Sequence, residues 1–327
     1  MLDMLRYLIK RIIILIPVII VISVMLFAIS KAMPGDPVRA MLPTTLKPEQ
    51  YEIAYDAMYR RLGQDQNVVV QYFRWIYNLV ILGDLGYSSM GNRPVVDMVS
   101  VPLVNTIILN IFVNIFYIGI ALPVGIRMAV KRGSVFDNAI QVGSLITWSV
   151  PSFFLGLVLI FVFGVQLGWL PMSGMPNTYM RSFGESTILW IRHLTLPVAT
   201  LTIISLASAI RYVRSAMIDA FTQDYIRTAR SKGLSEKVVI YSHSLRNAMI
   251  PISTIIVMTL FTLFSGAALT ETVFAYNGIG KLLLAAVRQR DTMLITTMNL
   301  FFATISISAV LVADIVYGLV DPRIKLR

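Results

Sequence analysis

Residues Asp224–Pro251 read DYIRTARSKGLSEKVVIYSHSLRNAMIP. The stretch is polar, basic and helix-forming, and it lies between two apolar runs long enough to cross a bilayer. Its pattern predicts a short helix over 224–232. Gly233 then stops it at C′, where a left-handed backbone is cheap only for glycine. Ser235 is placed to cap a second helix, with Glu236 in its first turn. Along that second helix Val238, Ser242, Leu245 and Met249 share one face, Lys237 and Arg246 lie off it, and Pro251 opens the following apolar run. Such a helix–turn–helix is either a docking surface for a soluble partner or an amphipathic connector resting on lipid headgroups. These residues alone leave both readings open.

Working outward, the chain is 327 residues long, 57% hydrophobic and 14% charged. A soluble protein of this length carries about 25% charge. Low charge gathered between long apolar runs implies several membrane spans. Six runs reach the required length: 12–29, 101–126, 139–167, 191–210, 248–270 and 292–319. The first is longer than the apolar part of a signal peptide, and Ser30-Lys31-Ala32 is a poor cleavage site, so it is expected to be retained. Residues 1–30 thus form a first transmembrane helix, 31–100 an extracytoplasmic segment, and 101–327 a five-span core with a cytoplasmic loop over 215–250. The expected fold class is an all-α membrane protein with six transmembrane helices.

Charge sets the expected orientation. Arg6, Lys10 and Arg11 precede the first run, Arg127, Lys131 and Arg132 follow the second, and Arg323, Lys325 and Arg327 close the chain. With the 224–251 loop they fall on one side, which the positive-inside rule makes cytoplasmic, so both termini are expected inside. The net charge of +11 then faces anionic headgroups and cytosolic partners, not nucleic acid.

The stretch Val68–Leu82 is too short to span, and Arg74 at its centre would cost roughly 2.5–3.5 kcal/mol in lipid. Its apolar residues recur at helical spacing. They predict an amphipathic helix on the membrane or on neighbouring spans, or a plain helix packed within the outer segment. Asp314 is an intramembrane charge near the cytosolic end of the last run, suited to a structural ion pair or to a proton relay. There are no cysteines and only two histidines, His193 and His243. No metal site, no nucleophile–base pair and no cofactor site is expected on this chain. Gly278-Ile279-Gly280-Lys281 imitates the end of a phosphate-binding loop, but Leu282 stands where Ser or Thr is required.

The loop resembles the cytoplasmic EAA loop of the permease subunits of ABC importers, the binding-protein-dependent transport system inner-membrane components. It is closest to the dipeptide/oligopeptide type. The general pattern has Glu-Ala-Ala, three residues, then Gly. Here Arg227, Thr228, Ala229 and Gly233 hold those places, and Arg227–Leu234 matches the peptide-type version. Other resemblances follow in order: Pro34-Gly35-Asp36-Pro37, Gly83-Asp84-Leu85-Gly86-Tyr87-Ser88, Trp169–Gly174, Glu271-Thr272-Val273-Phe274, Asp291 and Asp321-Pro322-Arg323. Tyr276-Asn277 departs from the subgroup's usual pair before Gly-Ile-Gly.

The resemblance implies a non-enzymatic permease forming half of a translocation pathway for peptides. A second homologous permease, two cytosolic ATPases carrying ATP and Mg, and an extracytoplasmic peptide-binding protein would complete the machine in a bacterial or archaeal plasma membrane. Arg227, Thr228, Ala229, Arg230, Gly233, Leu234, Ser235 and Glu236 would form the ATPase-coupling loop. Substrate-binding residues are not legible. Two rivals stay open: another cargo, such as nickel chelates, within the same family, and an ion-coupled secondary transporter, which would call for paired intramembrane charges or broken helices at mid-depth.

Overall fold

The computed structural model of the chain describes residues 2–33, 36–43, 45–177 and 182–320. It is helical almost throughout. Helix α1 (Leu2–Ala32) is the first apolar run. The segment between the first two apolar helices follows with α2 (Pro37–Met41), α3 (Pro48–Arg61) and α4 (Val68–Val80). A two-stranded antiparallel hairpin closes it, β1 (Tyr87–Ser88) pairing with β2 (Arg93–Pro94). The helix expected within 68–82 is present as α4.

The core begins with α5 (Val95–Val130), then α6 (Val135–Ser149) and α7 (Ser152–Leu159), the last continued by a π-helical stretch, Ile160–Gln166. Helix α8 (Phe183–Phe221) leads to α9 (Asp224–Ser231). After the turn, α10 (Glu236–Val238) runs through a π turn (Val239–Ser244) into α11 (Leu245–Phe261) and a last 3₁₀ turn (Thr262–Phe264). Two short helices, α12 (Ala268–Val273) and α13 (Ile279–Gln289), precede α14 (Thr292–Val320).

Among the described residues, five helical stretches are long and apolar enough to cross a membrane, Ile13–Ala32, Val95–Val130, Phe183–Phe221, Glu236–Phe264 and Thr292–Ala313, and a bent pair makes six if it counts as one span. The third expected span is different. Residues 139–167 do not form one straight helix, because the chain bends by 103° between Val135–Ser149 and Ser152–Gln166. Pro151 sits at the corner. It forces Val150 to extended backbone (φ −88°, ψ 126°) and so ends α6. The fifth apolar run crosses as part of Glu236–Phe264 but ends early: helix stops at Phe264, Ser265 is extended, and the chain restarts as α12, so 248–270 is not one continuous helix.

Helices α5 and α8 are the central pair, 36 and 39 residues long. At 1.5 Å per residue they reach roughly 54 and 58 Å, well beyond a ~30 Å hydrocarbon core. One end of the pair is packed by Leu109, Val113, Leu194, Leu196, Val198, Phe274 and Tyr276. The other end is packed by Ile126, Ala129, Val213, Met217, Ala220, Ala248 and Ile252. Helix α1 lies against α14, and α11 bridges α14 and α8. The backbone of Asp314 falls in α14, but its side chain, Pro34-Gly35 and 321–327 lie outside the described residues.

Candidate functional site

The helix–turn–helix at 224–251 stands on the ends of two long helices, α8 and α11. Helix α9 stops as its sequence requires. Gly233 has φ +73°, its amide donates to the Arg230 carbonyl at 2.9 Å, and the Leu234 amide donates to the Ala229 carbonyl at 3.4 Å. This pair of bonds satisfies the end of the helix and reverses the chain. Ser235 occupies the N-cap position of α10 with extended backbone, but its hydroxyl makes no capping bond. The Arg230 guanidinium instead clamps the turn, donating twice to Glu236 at 2.8 and 3.2 Å.

Beneath the turn lies a small core of its own: Ile226, Ala229 and Val239, all buried. Of the eight residues expected in the loop, only Ala229 is inside. Arg227, Thr228, Arg230, Gly233, Leu234, Ser235 and Glu236 are exposed. Tyr225 is 39% exposed beside them, and burial of its other side pushes its hydroxyl above the usual tyrosine value. The outward surface therefore combines cations with Tyr225 and Leu234, which suits a protein partner better than bare water.

Of the face expected on the second helix, Leu245 and Met249 pack against the core around Ile126 and Ile252, but the other two residues do not. Val238 and Ser242 point outward, while Val239, Ser244, Ala248 and Ile252 are buried. The π turn at 239–244 inserts one residue between Val239 and Ser244, and the Ser244 hydroxyl donates to the Val239 carbonyl at 3.0 Å. A strict 3.6-residue period cannot anticipate that register shift.

A second constellation lies at the opposite end of α5. Glu271 is 1% exposed. Its Oε1 accepts from the Thr106 hydroxyl at 3.1 Å and the Ala267 amide at 3.2 Å, and its Oε2 from the Lys281 amide at 2.7 Å. The carboxylate thus fills the N-terminus of α13. The Gly278–Lys281 segment that imitates a phosphate loop already holds an internal anion there. Burial pushes the Glu271 carboxyl above its ordinary value, against the pull of these donors. Asn110 donates from its amide nitrogen to the carbonyls of Thr262, Leu263 and Ser265 and so ties the broken helix to α5. Gly266 and Gly280 touch backbone to backbone, since a Cβ on Gly266 would lie 2.2 Å from the Gly280 nitrogen. Asp291 is fully buried, bound by the Ser88 hydroxyl, the Met90 amide and the Leu294 amide. Sequence spacing gives no hint of these roles, because Thr106 lies 165 residues from Glu271 and Ser88 lies 203 from Asp291.

Asp137 and Arg214 form a bidentate pair at 2.6 and 2.8 Å between α6 and α8, with Asp137 also accepting from the Gly133 amide. Among the described residues, no group of three or more His, Cys, Asp or Glu gathers in metal-holding geometry.

Residues 121–326 match the profile of the family described as binding-protein-dependent transport system inner membrane component. Residues 4–121 match the N-terminal part of the corresponding transport-system membrane components. The chain is 36% identical over 325 residues to an oligopeptide transport system permease protein of Bacillus subtilis (strain 168), covering 98% of this chain and 100% of that protein. It is 36% identical over 338 residues to a di/tripeptide transport system permease protein of Pseudomonas aeruginosa (strain UCBPP-PA14), covering 98% and 99%. A dipeptide transport system permease protein of Escherichia coli (strain K12) is 35% identical over 341 residues, again covering 98% and 99%.

Proposed function

Because the chain belongs to the family of binding-protein-dependent transport system inner membrane components, we propose that it forms half of the translocation pathway of an ATP-driven peptide importer. The cargo class rests on the full-length similarity to oligopeptide, di/tripeptide and dipeptide permeases. The chain is a multi-pass membrane protein, and both termini and the 224–251 segment are assigned to the cytosol by their basic residues.

The observation that carries the coupling role is the build of α9. It is a short exposed helix with its own core, clamped by Arg230–Glu236 and mounted on α8 and α11. A helix so held moves as one body with its supports. Docked in a groove on a cytosolic ATPase, it passes the closure of two ATPases to the spans and biases the pathway between two states. Arg227, Thr228, Arg230, Leu234, Ser235 and Glu236 form the contact surface, while Ala229 and Gly233 hold its shape. ATP and Mg reside on the ATPases and not on this chain. A second permease supplies the other half of the pathway. A peptide-binding protein delivers cargo to the outer face, which includes 31–100 and 271–290.

Single cysteines test the coupling surface cleanly, because the chain has none of its own. Ser235→Cys and Thr228→Cys are expected to cross-link to the ATPase in the assembled transporter. Nucleotide should change the yield. Absence of cross-links from both positions, with the ATPase present in the complex, removes α9 from the coupling interface.

A further inference from the structure

Helix α4 is held along one edge and bare along another. On the held edge the Tyr72 hydroxyl meets the Ser23 hydroxyl at 2.8 Å. The Tyr72 ring packs edge-on to Phe27 at 5.5 Å, and Trp75 stacks on Phe27 at 5.6 Å. The Lys31 ammonium donates to Gln64 at 2.8 Å and to Gln71. Ser23 and Phe27 belong to the membrane-crossing stretch Ile13–Ala32. At 1.5 Å per residue, Phe27 lies about 7 Å inside the outer end of that stretch.

The bare edge is apolar. Val69, Phe73, Ile76 and Val80 recur at helical spacing, and Val69, Phe73 and Val80 are 59%, 65% and 68% exposed. On α1, the helix that α4 packs against, Val24 and Met25 are also bare. The polar residues Arg74 and Asn78 occupy the remaining edge. An apolar stripe, aromatic residues and a polar edge at that depth match a helix lying in the membrane–water boundary.

We propose that α4 is an interfacial anchor: its Val69–Phe73–Val80 stripe sits among the acyl chains of the outer leaflet, continuous with the lipid-facing side of α1. The anchor fixes the depth of the outer segment, and so the height at which a delivered cargo is received. Arg74 and Asn78 face headgroups and water. The proposal rests on the chain's being a membrane permease but not on peptide as its cargo.

The test uses the full chain in its assembled transporter, reconstituted into phosphatidylcholine vesicles. Phe73→Cys, Val80→Cys and Asn78→Cys each receive an environment-sensitive fluorophore. Brominated lipid is expected to quench the labels at 73 and 80 roughly twofold or more beyond that at 78, and aqueous iodide to show the reverse order. Iodide quenching of all three alike would place α4 in water and overturn the proposal. Protection of 73 and 80 from both quenchers would also overturn it, because protein and not lipid would then cover the stripe. Peptide uptake by the labelled variants, measured in parallel, keeps a failure of assembly apart from a failure of the anchor.

Discussion

Gly233 concentrates the argument at the scale of single residues. Its φ of +73° is a region that costs a residue with a Cβ roughly 1–2 kcal/mol, and more for a β-branched one. Nothing lies within 4 Å of where its Cβ would stand, so the cost is backbone strain and not a clash. Gly233→Val is therefore expected to leave membrane assembly intact while substrate-stimulated ATPase activity falls. Gly233→Asn, which tolerates the left-handed region, should retain most coupling. Full ATPase stimulation in the Val variant contradicts the role given to the turn. Glu271 offers a pH test. Burial raises its folded value above the ordinary 4.5, so the folded chain binds this proton more tightly than the unfolded one. Its stabilising contribution is complete below the ordinary value and is lost as pH rises through the raised one. The melting-temperature difference between the natural chain and Glu271→Gln should shrink across that interval. A difference that is flat or grows with pH excludes this reading. Gly233 was legible in the sequence because turn chemistry is local. Glu271 was not, because its partners Thr106 and Lys281 meet it only in the fold.

At the scale of elements, local pattern located the helices and failed where the chain breaks its own period. The helix at 68–80 stands where its apolar spacing put it. Pro151 and Ser265–Ala267 lie inside apolar runs, and composition alone does not say whether such a run bends. The π turn at 239–244 is the clearest case. One inserted residue turns Val239, not Val238, toward Ile226 and Ala229. Inserting one alanine between the exposed Arg246 and Asn247, in the regular part of the helix, should rotate the turn by about 100° against the rest of α11. Peptide uptake is expected to fall to background while the chain still reaches the membrane. Uptake at the natural level means that the register of this helix does not matter to coupling. Arg230→Ala is a milder change, since exposed ion pairs contribute about 0.2–1 kcal/mol. It should lower the coupling efficiency of the transporter without unfolding the loop.

For the whole molecule, the unequal charge of the two ends sets the expected orientation in the membrane. The basic helix–turn–helix caps the end of the core packed by Ile126, Met217 and Ile252, and the Glu271–Lys281 clamp closes the end packed by Leu109 and Phe274. A cysteine at Glu49 should react with an impermeant reagent in intact cells, and one at Ser235 only after the membrane is opened. The reverse pattern inverts the orientation. The most direct test of the account as a whole is ATP-driven uptake of a labelled dipeptide into vesicles holding this chain with its second permease, its ATPases and its binding protein. The account predicts uptake that requires ATP inside the compartment bearing the 224–251 segment, and its loss in Gly233→Val with the complex still assembled. Uptake sustained by an ion gradient without ATP, or undiminished in the Gly233 variant, contradicts it.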